Sequence, residues 1–157
     1  MTAVFLAAHP DDETLFGTFT LLAVKPLVIV VLACGTGRAR EFATAMETLG
    51  IPDIGVWGAY DEASPDWGAI RERIHALNAE HLYVPAFAEQ GNNHHNALAR
   101  AADGAAPTTA YLTYTAAGKQ TDGRPVPYEP EWIGLKHRAL ACYRSQFEQP
   151  GRAVHFL

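Results

Sequence analysis

The residues best equipped for chemistry stand near the start of the chain, in Ala8-His9-Pro10-Asp11-Asp12-Glu13. One imidazole and two carboxylates share a single turn there. His9 and Asp12 are three apart, so both can converge on one metal ion, and Asp11 can then hold a water for attack. A second group lies downstream, in Glu89-Gln90-Gly91-Asn92-Asn93-His94-His95-Asn96-Ala97. A third ligand from this loop, His94 or His95, would complete a His-Asp-His set. Catalytic zinc typically takes three such protein ligands and keeps one position for water. Each stretch also has an ordinary reading as a helix start. Pro at the first helical position and acids in the first turn open many helices. Asn92 or Asn93 would serve equally as an N-cap, with both histidines solvated. His9 favours the chemical reading, because a strand-to-helix turn has no structural need for an imidazole.

The elements that must position these groups follow from the apolar pattern. Val4 to Ala7 reads as a short buried strand and Thr14 to Leu22 as an apolar helix. The hexapeptide thus sits where a strand hands over to a helix, the edge at which open α/β sheets bind ligands. Lys25-Pro26 closes that helix. Leu27 to Leu32 is a continuous apolar run that fits a central strand of a parallel sheet. Cys34-Gly35-Thr36-Gly37 turns the chain into a helix from Arg38 to Leu49. Phe42, Ala45, Met46 and Leu49 form its apolar face, and Gly50 is its stop. Ile54 to Trp57 is a third strand, and Trp67 to Leu77 a helix patterned by Ile70, Ile74 and Leu77. His81 to Val84 is a fourth strand, stopped by Pro85, so the loop over 88–93 emerges at the same sheet edge as the hexapeptide. His94 to Ala102 follows as a helix with Ala97, Leu98 and Ala101 as its stripe. Thr108 to Thr115 reads as a fifth strand. Gly118 to Pro130 reads as a loop or irregular hairpin, a candidate rim for the site. Trp132 to Phe147 is the last helix. This alternation predicts one three-layer, Rossmann-like α/β domain over residues 1–157, with a mostly parallel sheet and helices on both faces.

Composition narrows the function classes. With 157 residues and 48% apolar content, the chain is large enough for a real core. A net charge of −5 argues against nucleic-acid or anionic-membrane partners. No apolar run approaches the ~20 residues of a membrane span, and no basic segment precedes the first strand as in a signal peptide. Cys34 and Cys142 are too few and too far apart for a disulfide scaffold, so free buried thiols in a cytoplasmic protein are expected. The sequence sets no oligomeric state; a homo-oligomer stays open.

Four stretches resemble the PIG-L/LmbE-like family of metal-dependent N-deacetylases. Ala8 to Glu13 is similar to that family's opening motif, residue for residue. Arg38, Glu41, Ala45 and Leu49-Gly50 match an R-x-x-E-x-x-x-A-x-x-x-L-G pattern. Gly91 to His95 resembles a G-H-P-D-H loop, and Lys136, Ala139, Ser145 and Gln146 a K-x-x-A-x-x-x-H-x-S-Q tail. The resemblance implies one zinc per chain, held by His9, Asp12 and His95, with Asp11 as general base. It implies sugar-hydroxyl contacts from Arg38 and Asp61. The chain departs from the pattern in three places: Asn92 and His94 replace the loop's first His and its Asp, Tyr143 replaces the tail His, and Cys34 to Gly37 runs into Arg38 without an insert.

The expected activity is hydrolysis of an N-acetyl group from an N-acetylglucosamine-type sugar or conjugate, with Asn92 or His94 as oxyanion donor. The alternatives are a metal-dependent hydrolase of another amide or ester, and a metal-binding module with a degenerate site. The residue pair Asp11-Asp12 speaks against the last, since a binding module has no need of a second carboxylate beside the ligand.

Overall fold

Alternation along the first strand sets the layers. In β1 (Ala3–Ala7), Val4 and Leu6 face one apolar cluster while Phe5 and Ala7 face another. The computed structural model describes residues 2–32, 34–58 and 63–148. After β1 come α1 (Asp12–Val24), β2 (Leu27–Val30), α2 (Thr36–Leu49), β3 (Ile54–Val56), α3 (Trp67–Ala76), β4 (His81–Pro85), α4 (Asn93–Ala102) and β5 (Thr108–Tyr111). These five strands form one parallel sheet in the order β3-β2-β1-β4-β5. A small antiparallel hairpin, β6 (Tyr114–Thr115) with β7 (Gly118–Lys119), precedes α5 (Glu131–Leu140) and α6 (Arg144–Phe147).

The two clusters give the three layers. Ile70 and Ile74 of α3 and Leu98, Ala101 and Ala102 of α4 pack with Val4, Leu6 and Leu82. On the other face, Leu21 of α1, the Phe42/Ala45/Met46/Leu49 stripe of α2 and Ala139 of α5 pack with Phe5, Val28 and Val30. Gly17 lets α1 lie close to β1: a Cβ there would stand 2.4 Å from Phe5 Cζ. Phe5 has little room to yield, since it is stacked on Tyr111 at 4.6 Å. The α/β fold with helices on both faces is therefore as the pattern predicts.

Two elements break where one was expected, and one stripe differs. The single strand expected over 108–115 breaks at Leu112-Thr113, where the Thr113 N–H donates to Gln120 Oε1 at 2.9 Å instead of continuing the sheet. The single helix expected over 132–147 breaks before α6, with Tyr143 at φ −87, ψ 54. In α4 the inward stripe is His95, Leu98, Ala101 and Ala102, and Ala97 is only half-buried. Cys34 and Cys142 are free, but half-buried rather than buried. Among the described residues, no helix is long and apolar enough to cross a membrane.

Candidate metal centre

Chain order reverses between β1 and β4, since β2 and β3 lie on one side of β1 and β4 and β5 on the other. This is the switch point at which open α/β sheets leave a crevice beyond their strand ends. The two groups singled out in the sequence enter that crevice, one from the end of β1 and one from the end of β4.

At the β1 end, Asp11 is the N-cap of α1, at φ 108 and ψ −30. A positive φ costs a non-glycine residue about 1–3 kcal/mol, so surrounding contacts must hold it. The Asp11 side chain makes no capping bond. Its Oδ2 lies 3.7 Å from Arg38 Nη2, and Arg38 also donates to the Pro10 carbonyl at 2.7 Å. Helix-start chemistry therefore does not account for this carboxylate. Asp12, 3% exposed, gathers three nitrogens on one oxygen. Its Oδ2 accepts the His9 backbone N–H at 2.9 Å and stands 3.0 Å from His95 Nε2 and 3.3 Å from His9 Nδ1. Burial pushes the Asp12 carboxyl up, but hydrogen bonds from His9 and His95 outweigh it and hold the group well below the usual carboxylate range.

At the β4 end the chain is built by ordinary capping. Asn92 Oδ1 accepts the N–H groups of His94 at 2.8 Å and His95 at 3.4 Å. Asn96 reaches back to both the N–H and the carbonyl of Ala88, at 3.0 and 2.7 Å. The first turn of α4 then points His95 inward, 1% exposed. His94, turned by one helical step, is half-buried and meets His9 from its other side, with Nδ1 2.8 Å from His9 Nε2.

The structure thus brings His9, Asp12 and His95 together, with one potential ligand atom from each lying within 4.8 Å of the others. Two imidazoles around one desolvated carboxylate suit a divalent cation of the zinc type. Asp11 and Arg38 stand beside this group, and His94 leans on His9. The side-chain oxygen of Asn92 is engaged in the α4 cap. Asp61 lies outside the described residues. Phe16 and Tyr114 present their rings edge-on to His95, at 6.2 and 6.0 Å between centroids. Tyr114 comes from the β6–β7 hairpin, which is fastened over the second loop by a bridge between Thr115 and Gly91 and by Ala116 N–H to the Gln90 carbonyl at 3.0 Å. The first part of the stretch expected as a rim, Gly118 and Lys119, belongs to this hairpin, and 121–131 is exposed throughout.

Sequence reasoning gave no role to Glu13, which is fully buried. Tyr143 Oη and Thr14 Oγ1 donate to its Oε1, and the Asp11 N–H donates to its Oε2. Burial pushes the Glu13 carboxyl up, and the hydrogen bonds from Tyr143 and Thr14 only partly offset this. A signal was present: Glu13, Gly17 and Leu21 recur every four residues along the buried side of α1. An acid on such a stripe must have partners.

No protein-family model and no curated protein matches the sequence. Solved structures do match in fold. The N,N'-diacetylchitobiose deacetylase from Pyrococcus horikoshii, in complex with an inhibitor, superposes with a TM-score of 0.68 at 12% identity, over 93% of this chain and 70% of that one. A conserved protein from Thermus thermophilus, TT1542, gives 0.61 at 22% identity, over 94% and 80%. GalB, the 4-carboxy-2-hydroxymuconate hydratase from Pseudomonas putida, gives 0.62 at 15% identity, over 94% and 81%. The fold is shared with all three.

Proposed function

We propose that this chain is a zinc-dependent N-deacetylase of the PIG-L/LmbE type, acting on an N-acetylglucosamine-type sugar or conjugate. The observation that carries the reading is the convergence of His9, Asp12 and His95 at the switch point with Asp11 beside them. A divalent ion bound by those three side chains would polarise the acyl carbonyl and acidify a water. Asp11, adjacent to Asp12 but not directed at the same point, takes the proton of the attacking water. It then returns that proton to the leaving amine, as base and acid in turn. The products are acetate and a free amine.

The histidine pair has a defined proton arrangement under this reading. A ligating nitrogen carries no proton, so with His9 Nδ1 turned toward Asp12, His9 Nε2 carries the proton and donates to His94 Nδ1. His94 then bears its own proton on Nε2, the donor this reading assigns to a developing oxyanion. Asn92 supports the same site by fixing the start of α4. Arg38 and Asp61 are the proposed contacts to sugar hydroxyls.

The same fold in a hydratase shows why chemistry must be argued from the site and not from the sheet. Elemental analysis of protein purified without chelator should find about one zinc per chain. Acetate release should then be seen with N-acetylglucosamine conjugates or N,N'-diacetylchitobiose. Release from p-nitrophenyl acetate alone would favour an esterase. Protein that neither holds nor takes up zinc would remove the reading altogether.

A further inference from the structure

The Pro10–Asp11 peptide is gripped at both of its polar ends. Its carbonyl, on Pro10, accepts from Arg38 Nη2 at 2.7 Å. Its N–H, on Asp11, donates to Glu13 Oε2 at 3.0 Å. In a planar trans peptide these two groups point to opposite sides, so Arg38 and Glu13 hold the plane from opposite directions. The orientation of that plane sets the φ of Asp11, which stands at 108. Rotation of the plane would carry Asp11 out of this conformation and move its carboxylate.

Glu13 is itself anchored. Its other oxygen accepts from Thr14 Oγ1 at 2.8 Å and from Tyr143 Oη, 130 residues away. Tyr143 is fully buried between α5 and α6. Both flanking helices are tied down: Lys136 Nζ donates to the Leu15 carbonyl at 2.7 Å, and Ser145 donates through N and Oγ to Glu41 at 2.8 and 2.6 Å. Packing alone gives no reason for an acid at position 13, since an apolar side chain would fill the space without desolvating a carboxyl. What a leucine there could not do is accept the Asp11 N–H.

We propose that Glu13 is a positioning residue for Asp11: anchored by Tyr143, and opposed by Arg38, it clamps the Pro10–Asp11 peptide so that the Asp11 carboxylate is held beside the His9/Asp12/His95 group. The inference rests on the reading of Asp11 as the base. A merely structural role for Glu13, such as easing the dipole at the start of α1, would alter stability and leave the Asp11 amide and turnover as they are.

The test compares wild type with Glu13→Leu, Glu13→Gln and Tyr143→Phe, each loaded with zinc. Three quantities are read: zinc per chain, kcat and KM for N-acetylglucosamine, and hydrogen-exchange protection of the Asp11 amide by NMR. Glu13→Leu should keep zinc, lose about 10–100-fold in kcat with a smaller change in KM, and expose the Asp11 amide to faster exchange. Glu13→Gln retains an oxygen that can accept this N–H, so it should recover kcat to within about 5-fold of wild type and restore protection. Tyr143→Phe should shift both readouts the same way by about 3–10-fold. An Asp11 amide as protected in Glu13→Leu as in wild type overturns the proposal, as does a lowered stability with kcat intact. Should Glu13→Leu fail to fold, wild-type kcat and amide protection in Tyr143→Phe overturn it instead. If the wild type releases no acetate, the deacetylase reading fails by itself, and amide exchange still decides whether Glu13 holds Asp11.

Discussion

At the end of β1 the chain turns through an aspartate at φ 108; at the end of β4 it enters α4 through an asparagine in extended conformation, at φ −62 and ψ 131. The β4 corner is capped by its own neighbours, with the side-chain bonds of Asn92 and Asn96 contained between Ala88 and Asn96; the β6–β7 hairpin reaches in from elsewhere, through Thr115 and Ala116. The β1 corner is held from far along the chain, by Arg38 in α2 and by Tyr143 through Glu13. Conformations off the common backbone minima persist only where surrounding structure over-determines them, and they gather at functional sites. Under the proposed function the two corners have different duties. The relaxed one supplies ligand geometry by ordinary helix capping, and the braced one sets the aim of a reacting carboxylate.

The largest expected effects come from the one oxygen that both corners share. Asp12→Ala removes the acceptor of the His9 N–H, His9 Nδ1 and His95 Nε2 together, and zinc content should fall from about one per chain to near zero. His95→Ala should do the same from the other corner. Elemental analysis checks both, and stoichiometric zinc in either variant would break the pairing of the corners at Asp12. Next comes Asp11→Asn. It should keep its zinc and lose about 10²–10⁴-fold in kcat, the scale of general-base catalysis. An active variant would leave the braced corner without a chemical purpose.

The same contrast explains what could be read from the sequence. Periodicity located β1, β2, α2 and α4, because their burial is set by residues a few positions apart. The grouping of His9 and Asp12 with the second loop was legible because strand-to-helix edges are where such sheets bind, and the choice of His95 over His94 came from the family resemblance. What could not be read was contributed from a distance. The strand over 108–115 stops because Gln120 takes the Thr113 N–H, and α5 ends where Tyr143 turns into the core toward Glu13. Glu41 and Lys136 were visible only as fragments of a family pattern. In the structure, Glu41 and Lys136 are struts, fastening α6 to α2 and α5 to α1. The His9–His94 bond spans 85 residues and has no local signature.

His94 lies where the two corners touch, and its removal should have an intermediate effect. His94→Ala leaves His9 Nε2 without its 2.8 Å partner while every residue of the ligand group stays in place. Loss of such an outer contact to a metal-binding histidine weakens metal affinity or activity by about 10–100-fold. Titration with a zinc indicator, beside kcat, measures the two separately. If His94→Ala abolished zinc binding and His95→Ala did not, the roles of the two histidines would be exchanged.

The smallest effect is expected at Asn92, and it tests whether the β4 corner is as local as its capping bonds indicate. Asn92 Oδ1 serves the N–H groups of His94 and His95. Asn92→Ala should therefore cost about 1 kcal/mol of stability, the usual value of a helix N-cap, read as a lowered urea midpoint. Asn92→Asp keeps the capping oxygen and places a negative charge at the helix N-terminus, which the helix dipole favours. It should fold as stably as the wild type. It also removes the amide hydrogens, the only part of this side chain that could donate to an oxyanion. The two variants therefore separate capping from catalysis. If Asn92 acts on the site only by setting the start of α4, Asn92→Asp keeps zinc and retains kcat, and Asn92→Ala loses stability before it loses turnover. A sharp fall of kcat in Asn92→Asp, at full stability and full zinc, would instead assign oxyanion donation to Asn92 and make the relaxed corner a chemical partner of the braced one.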